Sequence, residues 1–288
     1  MKKKKKSSSL ISIMLVLMFF IGLSVLLYPT IADYVNSRVQ SKAIFDYEAY
    51  LQSLKPEDYT AFFEAADAYN KEIAKLSFPF MSYNQVEGYE ETLDVNGIGM
   101  IGYIDIDKIR VELPIYHGTS EAVLNRSAGH LQGSSLPAGG ESTHIVLSAH
   151  RGLPSAKLFT DLDRLEIGDT FTITVLDRVL TYEVDQIRVV LPQEVDELYI
   201  KEGEDLCTLV TCTPYGINTH RLLVRGHRVE TLAPKPVIFV KNEGFMIDPL
   251  IVAPAVAAPM LLVLLIILLV RSGRKSPKAK RKEDVNEE

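Results

Sequence analysis

The chain has 288 residues, is 47% hydrophobic, carries a formal charge of −6 and contains two cysteines. Once the two apolar blocks described below and their flanks are set aside, stretch 29–248 holds 19 Lys+Arg against 33 Asp+Glu. That acidity excludes the basic stripe a nucleic-acid partner needs, so no nucleic acid is expected.

Residues 1–9 form a basic segment containing Lys2 to Lys6, and residues 10–28 then run for 19 positions without a charge. A second uncharged run of 22 residues covers 249–270, followed by a charged tail, 271–288, that contains Arg271, Arg274, Lys275, Lys278, Lys280, Arg281 and Lys282. Each run is long enough to cross a hydrocarbon core of about 30 Å as a helix. Basic residues flank the outer end of both, so the positive-inside rule predicts two spans, both termini cytoplasmic and the intervening segment extracellular. A cleaved signal peptide shares the pattern of the first run, with Thr30-Ile31-Ala32 as its small-x-small site; the length of the run favours a retained anchor. Pro254 and Pro259 are compatible with a kinked second span.

From 30 to 76 the pattern is helical. Ile31, Tyr34, Val35 and Val39, then Tyr59, Phe62, Phe63, Ala66 and Tyr69, recur at three-to-four spacing, with a break at Lys55-Pro56. Two helices with apolar packing faces are expected. Stretch 77–96 keeps no period and is long enough to act as a cover over a site. From 97 to 232 short β-branched runs alternate with turns: 102–106, 111–116, 143–148, 170–175, 179–187, 206–211 and 221–229, the pattern of a barrel or sandwich. Pro234 and Pro236 lie in a linker, 233–248.

The chemistry is concentrated at strand ends. Cys207 and Cys212 on one strand would lie about 16 Å apart with side chains on opposite faces, too far for a disulfide. Cys207, among Leu206, Leu209 and Val210, reads as a buried small hydrophobe. Cys212 stands where the apolar strand meets a turn and is the thiol placed to react. A free thiol near pKa ~8.5 is only slightly ionised at neutral pH and needs a base and a positive field. His150 closes the run Ile145 to Ala149 and faces a turn, where scaffolds carry catalytic groups. His220 is nearer in sequence, but strand parity places it with Leu222 and Val224 on a core-like face, and Arg221 with Leu223 and Arg225 on the other. Spacing alone leaves Arg221 between a surface hairpin arginine and an oxyanion-stabilising group. His117, His130, His144 and His227 carry no comparable signal. The acidic pairs Asp161/Asp163 and Asp105/Asp107 lack a ligand set, so no metal or other cofactor is expected.

Thr208-Leu209-Val210-Thr211-Cys212 resembles the Thr-Leu-x-Thr-Cys signature of sortases. The following run to Gly226 is similar to the pilin-polymerising class C members, and Ser148-Ala149-His150-Arg151-Gly152 matches the segment carrying that family's histidine. Tyr103 to Ile106 and Leu113 to Thr119 resemble the start of its barrel. The resemblance implies a mainly β fold, an eight-stranded sortase-type barrel with N-terminal helices, between the two expected spans. It also implies a cysteine transpeptidase that cleaves a Leu-Pro-x-Thr-Gly-like sorting signal between Thr and Gly. Cys212 would attack, Arg221 steady the oxyanion, His150 move protons and Thr211 help orient the substrate, with pilins and other surface proteins as partners. Class C enzymes carry an Asp-Pro-aromatic lid; here Ser77-Phe78-Pro79-Phe80 occupies that region, with Phe78 where the Asp would stand. A peptidoglycan-anchoring sortase or thiol peptidase, and a catalytically idle membrane-held binding module, are the competing readings.

Overall fold

The computed structural model describes residues 5–95 and 97–231, with positions 259, 262 and 266. The expected linker 233–248 and tail 271–288 lie outside the described residues, as does the expected second span 249–270 apart from those three positions. The chain divides into two units, Met1–Thr30 with Asn242–Glu288, and Ile31–Lys241.

In the first unit the described residues are mainly the opening turns of helix α1 (Lys5–Leu51). α1 is long and apolar enough to cross a membrane; its most apolar 18-residue window has a mean hydropathy of 2.3, and none of that window is buried. The end of the uncharged run at Tyr28 is not a helix end, because Pro29 lies inside α1.

The second unit begins with the remainder of α1 and with helix α2 (Pro56–Ile73). Pro56 suits the first helical position because its ring fixes a helical φ and no N–H is needed there. The Asp58 carboxylate accepts the Lys55 backbone N–H at 2.9 Å, closing the helix start. α2 buries Phe63, Ala66 and Tyr69 of the expected stripe and Ile73 beyond it, with Tyr59 and Phe62 partly buried. The stripe expected for α1 is different: Ile31, Tyr34, Val35 and Val39 are 57%, 40%, 52% and 56% exposed. The packed side of α1 instead carries Gln40, Ile44, Tyr47 and Leu51. Tyr47 shows why a mixed stripe works, since its buried hydroxyl donates to Ile101 O and accepts from Leu176 N.

Eight strands follow: β1 (Met100–Ile106), β2 (Val111–His117), β3 (Ala128–His130), β4 (Thr143–Ser148), β5 (Thr170–Val175), β6 (Arg178–Val190), β7 (Asp205–Thr213) and β8 (His220–Val229). They close into a barrel in the order β1-β2-β3-β4-β7-β8-β6-β5. Pairs β2–β3 and β4–β7 are parallel and the others antiparallel. Alternation makes the core: on β5 Phe171, Ile173 and Val175 point inward and are buried, while Thr170, Thr172 and Thr174 are not. Ile104, Ile145, Leu147, Leu209 and Val224 fill the same interior and are wholly buried. The three-residue β3 has no strand signal of its own, being Ala-Gly-His.

The stretch expected as a loose cover is only partly loose. Its first part contains the short helix α3 (Pro79–Ser82). Its second part is fastened to the barrel, with Tyr89, Leu93 and Val95 buried. The Tyr89 hydroxyl lies 2.9 Å from His130 Nδ1 and accepts the Gly118 N–H, and His117 Nε2 lies 2.9 Å from Thr92 O. Two histidines with no sequence signal are thus anchors for this segment.

Candidate active site

The site is built by strand register. β4 and β7 run parallel with Ser148 opposite Val210. The Ala149 N–H to Val210 O bond of 3.2 Å carries the pairing past the end of β4. Two residues further along lie His150, past the end of β4, and Cys212, within β7, so parallel pairing carries the chain to both at the same end of the barrel. On the other side of β7, Cys212 pairs directly with Arg221 of β8. Directly opposed residues share a face. Cys212 and Arg221 therefore share a face of adjacent strands, and His150 follows two residues past the end of β4, the strand on the other side of β7.

The two cysteines are unpaired and differ in setting. Cys207 is wholly buried in the barrel interior, where burial, and behind it the Asp205 carboxylate, pushes its thiol well above the ordinary range. Cys212 is partly buried on the outer face. Arg221 Nη1 donates to Asn218 O at 3.2 Å and to His220 O at 3.1 Å, which folds the guanidinium back onto its own turn.

The Thr211 side chain, expected to help orient the substrate, faces the interior. It is 1% exposed, lies on the inner face beside Cys212, and donates its hydroxyl to Ala149 O at 2.8 Å. Its bond ties the residue before His150 to the residue before Cys212.

Along the outer face, one residue pair from Cys212 and Arg221, Val210 stands opposite Leu223. These two, with Val146 and Leu198, form a small apolar cluster separate from the barrel core, and Phe80, Leu131, Val190 and Val195 pack on it. The Phe80 ring also meets the Tyr199 ring at 5.5 Å. Of the four expected lid residues, Pro79 is buried, Phe80 is seated on this cluster, and Ser77 and Phe78 are exposed, Phe78 by 63%. Gly133 permits the seat: a Cβ there would lie 2.7 Å from Pro79 O.

The wall beside this cluster is held by a polar network. His144 Nδ1 lies 2.9 Å from Tyr199 O and Nε2 2.7 Å from Thr208 Oγ1, which fits a neutral ring that donates to the carbonyl and accepts from the hydroxyl. Burial lowers the His144 pKa to about 4, against a smaller opposing effect of the Tyr199 carbonyl. Arg225 and Asp185 form a two-pronged ion pair with both bonds at 2.9 Å.

One residue of the site carried no separate sequence reading. Arg151, next to His150, has a side chain only 10% exposed and binds Asp163. Its Nη1 also donates to Thr213 Oγ1 at 3.3 Å, bridging the far flanks of His150 and Cys212. The available signal was adjacency, an arginine inside the histidine segment. Beneath it, Gly152 lets the Tyr215 ring approach, since a Cβ would lie 2.8 Å from the ring.

Comparison with known proteins gives this arrangement a family. A sortase domain matches residues 104–229. The chain is similar to sortase C1 of Streptococcus agalactiae, at 49% identity and a TM-score of 0.60 over 66% of this chain and 99% of that one. A sortase C of Streptococcus pneumoniae, whose structure is described as informative on pilin substrate specificity, matches at 44% identity and a TM-score of 0.60 over 67% and 99%. Among curated relatives, sortase D of Bacillus subtilis is 30% identical over 44% of this chain and 63% of its own length, so this chain spans somewhat under two-thirds of that relative. Sortases are cysteine transpeptidases, and the chain belongs to the sortase family, with class C sortases as its structural neighbours.

Proposed function

We propose that the protein is a class C sortase, a membrane-anchored cysteine transpeptidase that joins pilin subunits on the outer face of the cell. The observation that carries the reading is the register of β4, β7 and β8, which pairs Cys212 with Arg221 and brings the chain to His150, two residues past the end of β4, at the same end of the barrel. In the proposed reaction the Cys212 thiolate attacks the Thr carbonyl of a Leu-Pro-x-Thr-Gly-like signal. Arg221 turns from its loop carbonyls toward the oxyanion, and donors aimed at developing charge are the strongest single aid to acyl transfer. The C–N bond to Gly breaks, and His150 gives its proton to the leaving amine. A lysine amine of the next subunit then attacks the thioester and loses its proton to His150, and the Cys212 thiolate leaves.

In this scheme Thr211 and Arg151 hold the two reacting strand ends together. Phe80 fills an apolar seat beside the thiol, so the 77–80 segment must move before a sorting signal lies along the groove. Retention of α1 and the second uncharged run 249–270 as spans would leave both termini cytoplasmic. Incubation of the purified protein with sorting-signal peptides, followed by mass spectrometry, should reveal a thioacyl adduct on Cys212 that resolves to an amide when a pilin lysine is supplied. An adduct resolved only by peptidoglycan amines would assign anchoring instead, and no adduct would sink the proposal.

A further inference from the structure

The packed side of α1 is polar where a helix face of this kind is normally apolar. Asp33, Asn36 and Gln40 occur at i, i+3 and i+7, in line with the buried Ile44, Tyr47 and Leu51. Each polar side chain ends on a backbone group far away in sequence. Asp33 Oδ1 accepts the Lys157 N–H at 2.7 Å, Asn36 Nδ2 donates to Ser155 O at 2.7 Å, and Gln40 Nε2 donates to Arg126 O at 2.8 Å. Irregular backbone against a helix leaves N–H and C=O groups that need partners. Asp33 and Asn36 supply them to one loop.

That loop begins at His150. It is closed on itself by Phe159 N–H to His150 O at 3.1 Å, by Gly152 N–H to Thr160 Oγ1 at 3.1 Å, and by the Arg151–Asp163 ion pair. Ser155 and Lys157 sit at its outer bend, and Phe159, two residues on, holds the carbonyl of His150. A shift at 155–157 therefore reaches the backbone of the histidine through one short hydrogen-bonded ring. We propose that Asp33 and Asn36 are positioning residues for His150, so that the helix continuing from the apolar run is a working part of the active site. The inference rests on the assignment of His150 as the proton-transfer group.

The test uses the full chain in detergent micelles. In the double variant Asp33→Ala/Asn36→Ala, exchange of the Lys157 amide hydrogen should quicken about tenfold or more, the effect of losing two hydrogen bonds. The kcat for sorting-peptide transfer should fall about tenfold with KM within about twofold of wild type, because geometry and not binding is disturbed. Asp33→Asn, whose amide oxygen still accepts, should restore most of the rate. Gln40→Ala, which unfastens the same helix face elsewhere, should leave kcat unchanged. Unaltered Lys157 exchange, or a kcat loss as large in Gln40→Ala as in the double variant, would overturn the proposal. If Cys212→Ala retained transfer, the functional reading would fall instead, while the exchange measurement would still decide whether α1 holds the loop.

Discussion

Strands β4, β7 and β8 carry two apolar clusters on opposite faces, and the way each is covered separates stability from chemistry. The inner cluster, with Ile145, Leu147, Cys207, Leu209 and Val224, is closed by the other strands of the barrel and opens only on unfolding. The outer cluster, with Val146, Val210 and Leu223, is closed by side chains from separate segments, among them Phe80 of the four-residue helix α3. Two cysteines five positions apart fall on the two sides of this divide. A thiol in the first place is a packing group; in the second it is partly exposed and stands opposite an arginine.

The largest expected effect tests that division. Cys212→Ala should abolish peptide transfer, a loss of about a thousandfold or more, since no other group supplies the nucleophile. Cys207→Ala should keep most of the transfer rate and cost about 1 kcal/mol of stability for the lost sulfur packing. Comparable transfer losses in both variants, with retained fold by circular dichroism, would mean the two faces do not divide the labour. Next in size, Arg221→Ala should lower kcat about a hundredfold. Arg221→Lys should recover little of it, because a point charge lacks the planar fork of donors.

A smaller pair of changes compares the covers. Leu209→Ala, on the inner face, should cost about 2–5 kcal/mol in denaturant unfolding. Phe80→Ala, on the outer face, should cost about 1 kcal/mol, since its seat is only half closed, yet speed alkylation of Cys212 several-fold. Unchanged labelling would show that the seat of Phe80 does not govern access to the thiol.

Much of this was legible from residue order and part of it was not. Strand alternation located seven of the eight strands to within a few residues, and parity set Arg221 rather than His220 on the face of Cys212, as their pairing has it. What local pattern does not encode is which distant strands become neighbours. The parallel β4–β7 pair, which brings the chain before His150 alongside that before Cys212, is set by barrel topology. The packed side of α1 departs from its apolar stripe for a related reason. Apolar residues at helical spacing mark a packing face only when the opposing surface is apolar, and here it is loop backbone that asks for carboxylate and amide partners. Tyr89, His117 and His130 were silent because their signal is a network assembled from three segments.

The smallest expected effect concerns two histidines, one on each side of the divide. His130, opposite Leu147, faces the interior, whereas His144 shares the outer face with Val146. Burial lowers the pKa of both from 6.5 to about 4. Between those values the unfolded chain holds a proton that the folded chain does not, so protons favour unfolding and stability rises with pH. The contribution is whole above about 6.5 and is lost as pH falls toward 4, at up to about 1.4 kcal/mol per pH unit for each ring. Thermal unfolding should accordingly show Tm falling across pH 6.5 to 4. His130→Gln and His144→Gln should each make the fall shallower by a similar amount, because both rings are wholly buried. A flattening confined to His130→Gln would mean that the outer wall admits solvent to His144, and that the outer face is looser than its hydrogen bonds to Tyr199 and Thr208 indicate.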